Sequence, residues 1–237
     1  MSLRSFSIAI LFACAIALPS RGGLIISEVC FNEVGSTADG EWIEIYNDTG
    51  AAIDLSNYKI GDEEQSGGTS TTEALFKFPA GASIAPGEVQ VISGGATRFF
   101  TVYGINPTYE TAATDPTIPD LTIYSAWDPD GGILNMSNTN DQAVLVDPTD
   151  TIIDSTSWGN NFSFNPSVDI TGNLDGQSIE RIYANVDTNT ASDWKLGPTT
   201  SPAATRSTPF SVVLVPEPSS LVLLIGGVLA FVARRQR

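Results

Sequence analysis

Apolar and polar positions divide the chain into three unlike parts. Residues 6–18 form a nearly continuous apolar run, and residues 221–233 form a second one made only of apolar residues and Gly. Between them lie short apolar stretches broken by turns. Residues 24–31 open this middle part, and after a polar loop with Gly35 and Gly40 the next stretch is 41–46. In that stretch Ile43 and Ile45 share one face at period two while Trp42, Glu44 and Tyr46 share the other, which predicts a strand with one buried face. Residues 58–60, 75–78, 89–92, 142–146, 151–155 and 178–181 are further strand candidates, rich in Val and Ile and punctuated by Pro86-Gly87, Asp147-Pro148 and Asp175-Gly176. No long segment keeps a 3.6-residue apolar period, so the pattern predicts an all-β sandwich of about seven to nine strands. One short helix is expected at 97–103. Residues 104–132 are dense in turn signals and carry no strand pattern, so they are expected to leave the sandwich as a long excursion.

The two end runs have different meanings. Residues 1–22 combine one early Arg, an apolar stretch and the small residues Ala13, Ala15 and Ala17, which predicts a secretory signal peptide outside the fold. Leu11-Phe12-Ala13-Cys14 approaches a lipid-attachment box, but Phe12 is too bulky for it and the apolar run continues past Cys14. As a helix, residues 221–233 would rise only about 20 Å, against a hydrocarbon core of about 30 Å. The Arg residues that follow favour a cytoplasmic end. Ahead of the run, Pro216 and Pro218 lack amide donors and hold Glu217 in an extended, solvent-facing peptide beside the membrane.

Charge then narrows the partners. The chain of 237 residues carries a formal net charge of −16, and the imbalance is concentrated between residues 24 and 214, where 26 acidic residues face six basic ones for a net charge of −20. Such a surface repels nucleic acid and suits an exported protein or one that gathers divalent cations. Of two cysteines only Cys30 lies beyond the signal peptide, so no intramolecular disulfide is expected, and its apolar strand setting predicts a buried, inert thiol.

There is no His, which removes a Ser-His-Asp triad, a Cys-His pair and imidazole-bound zinc together. The remaining catalytic option is a carboxylate pair, with Glu41 and Glu44 or Glu28 and Glu33 as candidates. Their odd spacing puts each pair on opposite faces, so carboxylates accepting backbone amides are the favoured reading and no enzyme is expected. Asp128-Pro129-Asp130-Gly131-Gly132, with Asn135, Asn138, Asn140 or Asp141, supplies oxygens for a hard cation such as Ca²⁺, although the same residues make an ordinary turn. Asp128, Asp130 and Asp141 are the metal candidates. Trp42, Trp127, Trp158 and Trp194 invite a carbohydrate platform, but core packing is expected for Trp42 and Trp158, which adjoin strands. Three glycosylation acceptor patterns occur, at Asn47, Asn135 and Asn161. From Thr199 the composition turns to Thr, Ser, Pro and Ala, and residues 204–214 are expected to be an extended linker.

Val215-Pro216-Glu217-Pro218, the short apolar run and Arg234-Arg235 with Arg237 resemble the PEP-CTERM sorting signal of bacterial envelope proteins, over residues 215–237. The resemblance implies recognition by an exosortase, a multi-pass membrane cysteine transpeptidase that cuts near the tripeptide. Pro216, Glu217, Pro218, Arg234, Arg235 and Arg237 would then be the sorting residues. The implied partners are the exosortase, the export machinery and, transiently, the inner membrane, with the mature form at the cell surface or outside it.

A second resemblance covers residues 24–203. Ile26-Ser27-Glu28-Val29, the run from Gly40 to Asn47, Ile53-Asp54-Leu55-Ser56-Asn57-Tyr58, Phe78-Pro79-Ala80-Gly81 and Ile84-Ala85-Pro86-Gly87-Glu88 are similar, in order and spacing, to the lamin-tail domain. Residues 134–138, 141–147 and 175–181 continue the match. The resemblance implies an immunoglobulin-like β-sandwich with a non-catalytic binding or structural role. The competing readings are a carbohydrate-binding module facing extracellular polysaccharide, a Ca²⁺-dependent adhesion module, or a plain single-span anchored protein.

Overall fold

The computed structural model describes residues 22–215, apart from 36, 64, 68–70 and 161–162. The expected signal peptide and the tail from Pro216 onward, including all six sorting residues, lie outside the described residues. Among the described residues no helix is long and apolar enough to cross a membrane.

Fourteen strands form in this region. The first five are β1 (Leu24–Asn32), β2 (Trp42–Asn47), β3 (Ile53–Asp54), β4 (Lys59–Gly61) and β5 (Leu75–Lys77). Next come β6 (Ser83–Ile84), β7 (Val89–Ser93), the helix α1 (Ala96–Tyr103), β8 (Tyr109–Glu110) and β9 (Thr122–Ile123). The last five are β10 (Asp141–Val146), β11 (Ile152–Trp158), β12 (Ser167–Val168), β13 (Gln177–Arg181) and β14 (Trp194–Leu196). They build two six-stranded sheets, ordered β14-β13-β1-β2-β7-β8 and β12-β11-β10-β4-β5-β9, while β3 and β6 pair separately. Pairing is antiparallel except at two sheet edges, where β8 joins β7 and β12 joins β11 in parallel.

The core between the sheets comes from alternate positions. Ile43 and Ile45 of β2 point into it with Leu24, Ile26, Val29 and Phe31 of β1, Leu145 of β10 and Ile179 of β13. Phe31 stacks on Trp158 with ring centroids 4.7 Å apart. The step from Ile26 to Val29 is three residues rather than two because β1 carries a register shift between Ile26 and Glu28. Glu28 thereby joins the outer face and becomes the cross-strand partner of both Glu44 on β2 and Glu180 on β13.

One end of the sandwich is tied by a buried ion pair. Arg181 Nη2 lies 3.1 Å from Asp154 Oδ2, with both side chains almost fully enclosed. Asp154 also accepts the amide of Ile26 at 2.7 Å, and Arg181 Nε donates to the carbonyl of Ile26 at 2.8 Å, so β1, β11 and β13 share one network across the two sheets. The Arg181 guanidinium stacks over the Trp194 ring at 4.6 Å.

Several expectations need correction. All of β2 is buried, not one face only. Its outer residues Trp42 and Tyr46 are roofed, Trp42 by Phe99 and Tyr103 of α1 and Tyr46 by Val212 and Ala184. Residues 104–132 do not leave the sandwich: β8 extends the first sheet, β9 extends the second, and Trp127 and Tyr124 cover Leu75, Val144 and Val146 on the outer face of the second sheet. Glu110 of β8 accepts the first amide of α1, from Ala96, at 2.8 Å, placing a carboxylate at the positive end of the helix. Residues 204–214, expected as a free linker, hold a short 3-10 turn (Ala203–Thr205) and then lie against the first sheet. They dock because their amides find buried carboxylates there.

Candidate functional site

The outer face of the first sheet presents a row of three carboxylates, Glu180, Glu28 and Glu44, on adjacent strands. Glu28 and Glu44 are buried, with 1% and 0% of their surface exposed. Burial pushes the Glu28 carboxyl up to about 7, with the neighbouring Glu180 charge adding to the shift, and lifts Glu44 well above the usual carboxylate range. Each oxygen nonetheless meets a donor. Ser178 Oγ donates to Glu28 Oε1 at 2.5 Å and Ser27 Oγ to Glu44 Oε1 at 2.6 Å. The remaining donors come from the end of the described chain: Thr208 N to Glu28 Oε1 at 2.9 Å, Thr208 Oγ1 to Glu28 Oε2 at 3.0 Å, and Phe210 N to Glu44 Oε2 at 2.6 Å. A carboxylate engaged in this way is a structural acceptor with no face left for a substrate.

A second set of carboxyls borders an open polar cleft of about 610 Å³, lined by Glu33, Glu41, Asp141 and the loop from Asn135 to Asn140. Glu41 accepts the amide of Met136 at 2.6 Å, and burial pushes its carboxyl up to about 10, so it is neutral at ordinary pH. Asp62 accepts the amides of Ala74 at 2.8 Å and Asn135 at 3.0 Å, and Asp141 accepts that of Ser137 at 2.6 Å. Trp158 Nε1 donates to the Ser137 carbonyl at 2.9 Å, and Gln142 Nε2 to the Asp62 carbonyl at 2.6 Å. The loop is therefore pinned from below, with the amides of residues 135, 136, 137, 139 and 140 all bonded. Glu33 is buried, yet its Oε1 meets no hydrogen-bond donor.

The sequence paired the carboxylates as Glu41 with Glu44 and Glu28 with Glu33. The fold pairs Glu28 with Glu44 instead, and sets Glu33 and Glu41 along one cleft. Only the β1 register shift together with antiparallel β1–β2 pairing reveals the first pair. Glu180 and the donors Thr208 and Phe210 were missed because nothing near them in the chain marks a partner. The favoured role, carboxylates accepting backbone amides, describes Glu28, Glu41 and Glu44 well.

Asp128, Asp130 and Asp141 do not converge. Asp128 is buried in the turn after Trp127, Asp130 is exposed, and Asp141 is committed to the Ser137 and Gln142 amides. Among the described residues no group of three or more Cys, Asp or Glu side chains is placed to hold a metal ion. The four Trp side chains are all buried, Trp127 and Trp194 included, which removes them as a stacking platform for sugars. Cys30 is fully buried, and burial raises its thiol far above the reactive range.

Comparison with known proteins places these features. The family model of the Lamin Tail Domain matches residues 18–160, and that of the PEP-CTERM protein-sorting motif matches residues 214–237. No curated protein matches the chain. Among solved structures, a DUF4876 family protein from Bacteroides thetaiotaomicron is similar in fold, with a TM-score of 0.55 at 15% identity over 73% of this chain and 70% of that one. The sandwich extends past the matched family region, since β13, next to β1 at the centre of the first sheet, begins at Gln177.

Proposed function

The chain belongs to the Lamin Tail Domain family, and from that premise we propose that it is an exported bacterial envelope or extracellular-matrix protein whose sandwich is a non-catalytic binding or structural domain. An exosortase sorts it by cutting near Pro216-Glu217-Pro218, while the apolar run and Arg234, Arg235 and Arg237 hold the precursor in the inner membrane. The observation that carries this reading is the sorting-motif match over residues 214–237. The commitment of the buried carboxyls to backbone amides, and of the Ser27, Ser178 and Thr208 hydroxyls to those same carboxyls beneath residues 207–210, supports a non-enzymatic role. Mass spectrometry of the mature protein from cells that possess an exosortase tests the sorting. A C-terminus cut near Pro216 is expected, and an intact one ending at Arg237 would leave a plain membrane anchor.

The cleft favours a second element of function. Its walls are carboxyl, amide and hydroxyl groups, a lining suited to a hydroxylated ligand such as an extracellular polysaccharide. A glycan screen comparing wild type with Asn138→Ala, in the loop that lines the cleft, tests it. Equal binding by both, or binding by neither, would remove the cleft from the proposal.

A further inference from the structure

Residues 207–215 cross the outer face of the first sheet as a strap. Ser207, only 5% exposed, bonds Tyr103 through its hydroxyl at 2.9 Å. Thr208 donates its amide to Glu28 and its hydroxyl to both Glu28 and Glu180, and Phe210 donates its amide to Glu44. Phe210 holds a left-handed backbone with φ at 64°, a strained conformation for a non-Gly residue that is kept here by that amide bond and by edge contact of its ring with Phe99. Val212 packs against Ile25, Tyr46 and Ala184. The Val213 carbonyl accepts the Ala184 amide at 2.7 Å, and the Val215 amide donates to Asn185 Oδ1 at 2.7 Å. A cavity of about 320 Å³ remains beneath the strap, lined by Ser27, Glu44, Glu180, Arg181, Thr208 and Val213 among others.

Val215, held by Asn185, is bonded directly to Pro216, so the docked segment runs up to the tripeptide. An enzyme that grips an extended peptide needs main chain on both sides of its recognition residues. The residues it needs on the N-terminal side are the ones whose amides are already given to Asn185, Glu44 and Glu28. Resting on the sorting reading above, we infer that the outer face of the first sheet is a docking site for the chain's own residues 207–215, and that this docking competes with the processing enzyme for them. The motif is then presented only from the undocked state, and apparent affinity falls with the fraction of molecules in that state.

The test follows the precursor in cells that possess an exosortase, using the full chain in four forms. These are wild type, Glu217→Ala, Thr208→Pro, and a chain with a roughly six-residue Gly-Ser insertion between residues 215 and 216, which gives about 13 Å of average reach. The insertion frees the tripeptide from the strap without touching the fold, and Thr208→Pro removes the amide that binds Glu28. Both are expected to shorten the precursor's half-life, the insertion by up to about tenfold, equivalent to removing about 1.4 kcal/mol of docking. If Glu217→Ala blocks cutting while the insertion leaves the rate unchanged or slower, the docking inference fails and the sorting reading stands. If Glu217→Ala is cut as fast as wild type, the sorting reading fails and takes the inference with it. Hydrogen exchange on the full chain provides a direct readout. The amides of Thr208, Phe210 and Val215 are expected to be protected, and exchange at free-peptide rates would overturn docking.

Discussion

Two sets of buried carboxyls do the same chemical work with donors drawn from different parts of the chain. Around the cleft, Asp141 takes the amide of Ser137, four residues away, Asp62 takes those of Ala74, twelve away, and Asn135, 73 away, and Glu41 takes that of Met136, 95 away. On the outer face of the first sheet, Glu28 takes the amide of Thr208, 180 residues on, and Glu44 that of Phe210, 166 residues on. The donors named for the first arrangement lie between residues 74 and 142, and none comes from the segment before the sorting motif. The second is complete only when the segment before the sorting motif is in place. Buried acceptors left without donors cost about 1–3 kcal/mol each, so the outer face has a physical stake in the position of the strap that the cleft does not share.

The largest expected effect separates loss of an acceptor from loss of a charge. Glu41→Ala leaves the Met136 amide buried without its partner and opens a void, and is expected to destabilise the domain by about 3 kcal/mol, a melting shift of roughly 6–12 °C. Glu41→Gln keeps a carbonyl oxygen for that amide and resembles the neutral acid, so its shift is expected to stay below about 1 kcal/mol. Equal losses in the two variants would mean that Glu41 is ionised and paired, contrary to the cleft's electrostatics.

Next in size is the pH dependence. Buried carboxyls with raised values bind protons more tightly in the folded chain than in the unfolded one, so their contribution to stability is fully present below their unfolded values near 4–4.5 and is lost as pH rises through the folded ones. Those lie at about 6 for Asp154, 7 for Glu28 and 10 for Glu41, so stability is expected to increase as pH falls from 8 to 5. Glu28 alone accounts for about 2–3 kcal/mol of that change at about 1.4 kcal/mol per unit. Denaturant melts across this range, repeated with Glu28→Gln, provide the check. A slope of the opposite sign in wild type, or an unchanged slope in the variant, would contradict the burial of Glu28.

Removing the strap sharpens the comparison further. A chain ending at Arg206 loses the donors to Glu28 and Glu44 and the packing of Val212, which together are expected to cost about 2–3 kcal/mol. It also returns both carboxyls to water. The Glu28 part of the pH slope should therefore disappear with the strap while the Glu41 part remains. Loss of both parts would show that the two sets are coupled rather than independent.

Much of the fold was legible because its longer strands carry enough Val and Ile in alternation to show a period. β1, β2, β7, β10, β11 and β13 all fall where the pattern predicts them, as does α1 within one residue. The pairs β3, β6, β8, β9 and β12, two residues each, are too short to display any period, and this is why residues 104–132 looked strandless. Trp42 and Tyr46 on the outer face of β2 were the available sign that this face is roofed as well. The Glu28–Glu44 pair was hidden by the register shift in β1, since strict alternation cannot place an extra residue in advance. The strap was hidden by its composition. Ser, Thr and Pro suggest a solvated linker, yet Thr208 is bound through the hydroxyl and amide that make Thr polar.

The smallest expected effect tests that last point. Thr208→Val keeps the backbone amide on Glu28 and the side-chain shape, and removes only the hydroxyl that reaches Glu28 Oε2 at 3.0 Å and Glu180 Oε2 at 2.9 Å. Hydrogen bonds to carboxylates contribute about 1.5 kcal/mol or somewhat more when buried, and with one already shared and half in solvent the loss should be near 1 kcal/mol, or about 2–4 °C in the melting midpoint. Ser137→Ala in the cleft loop removes a hydroxyl whose contacts are all exposed, Thr139 Oγ1 at 3.2 Å and the amides of Thr139 and Asn140 at 3.3 and 3.5 Å, and its effect should be within about 0.5 kcal/mol. The ratio of the two shifts is the informative quantity. If Thr208→Val costs no more than Ser137→Ala, the hydroxyl at residue 208 is solvated, and the strap is held by its backbone amides and Val212 alone.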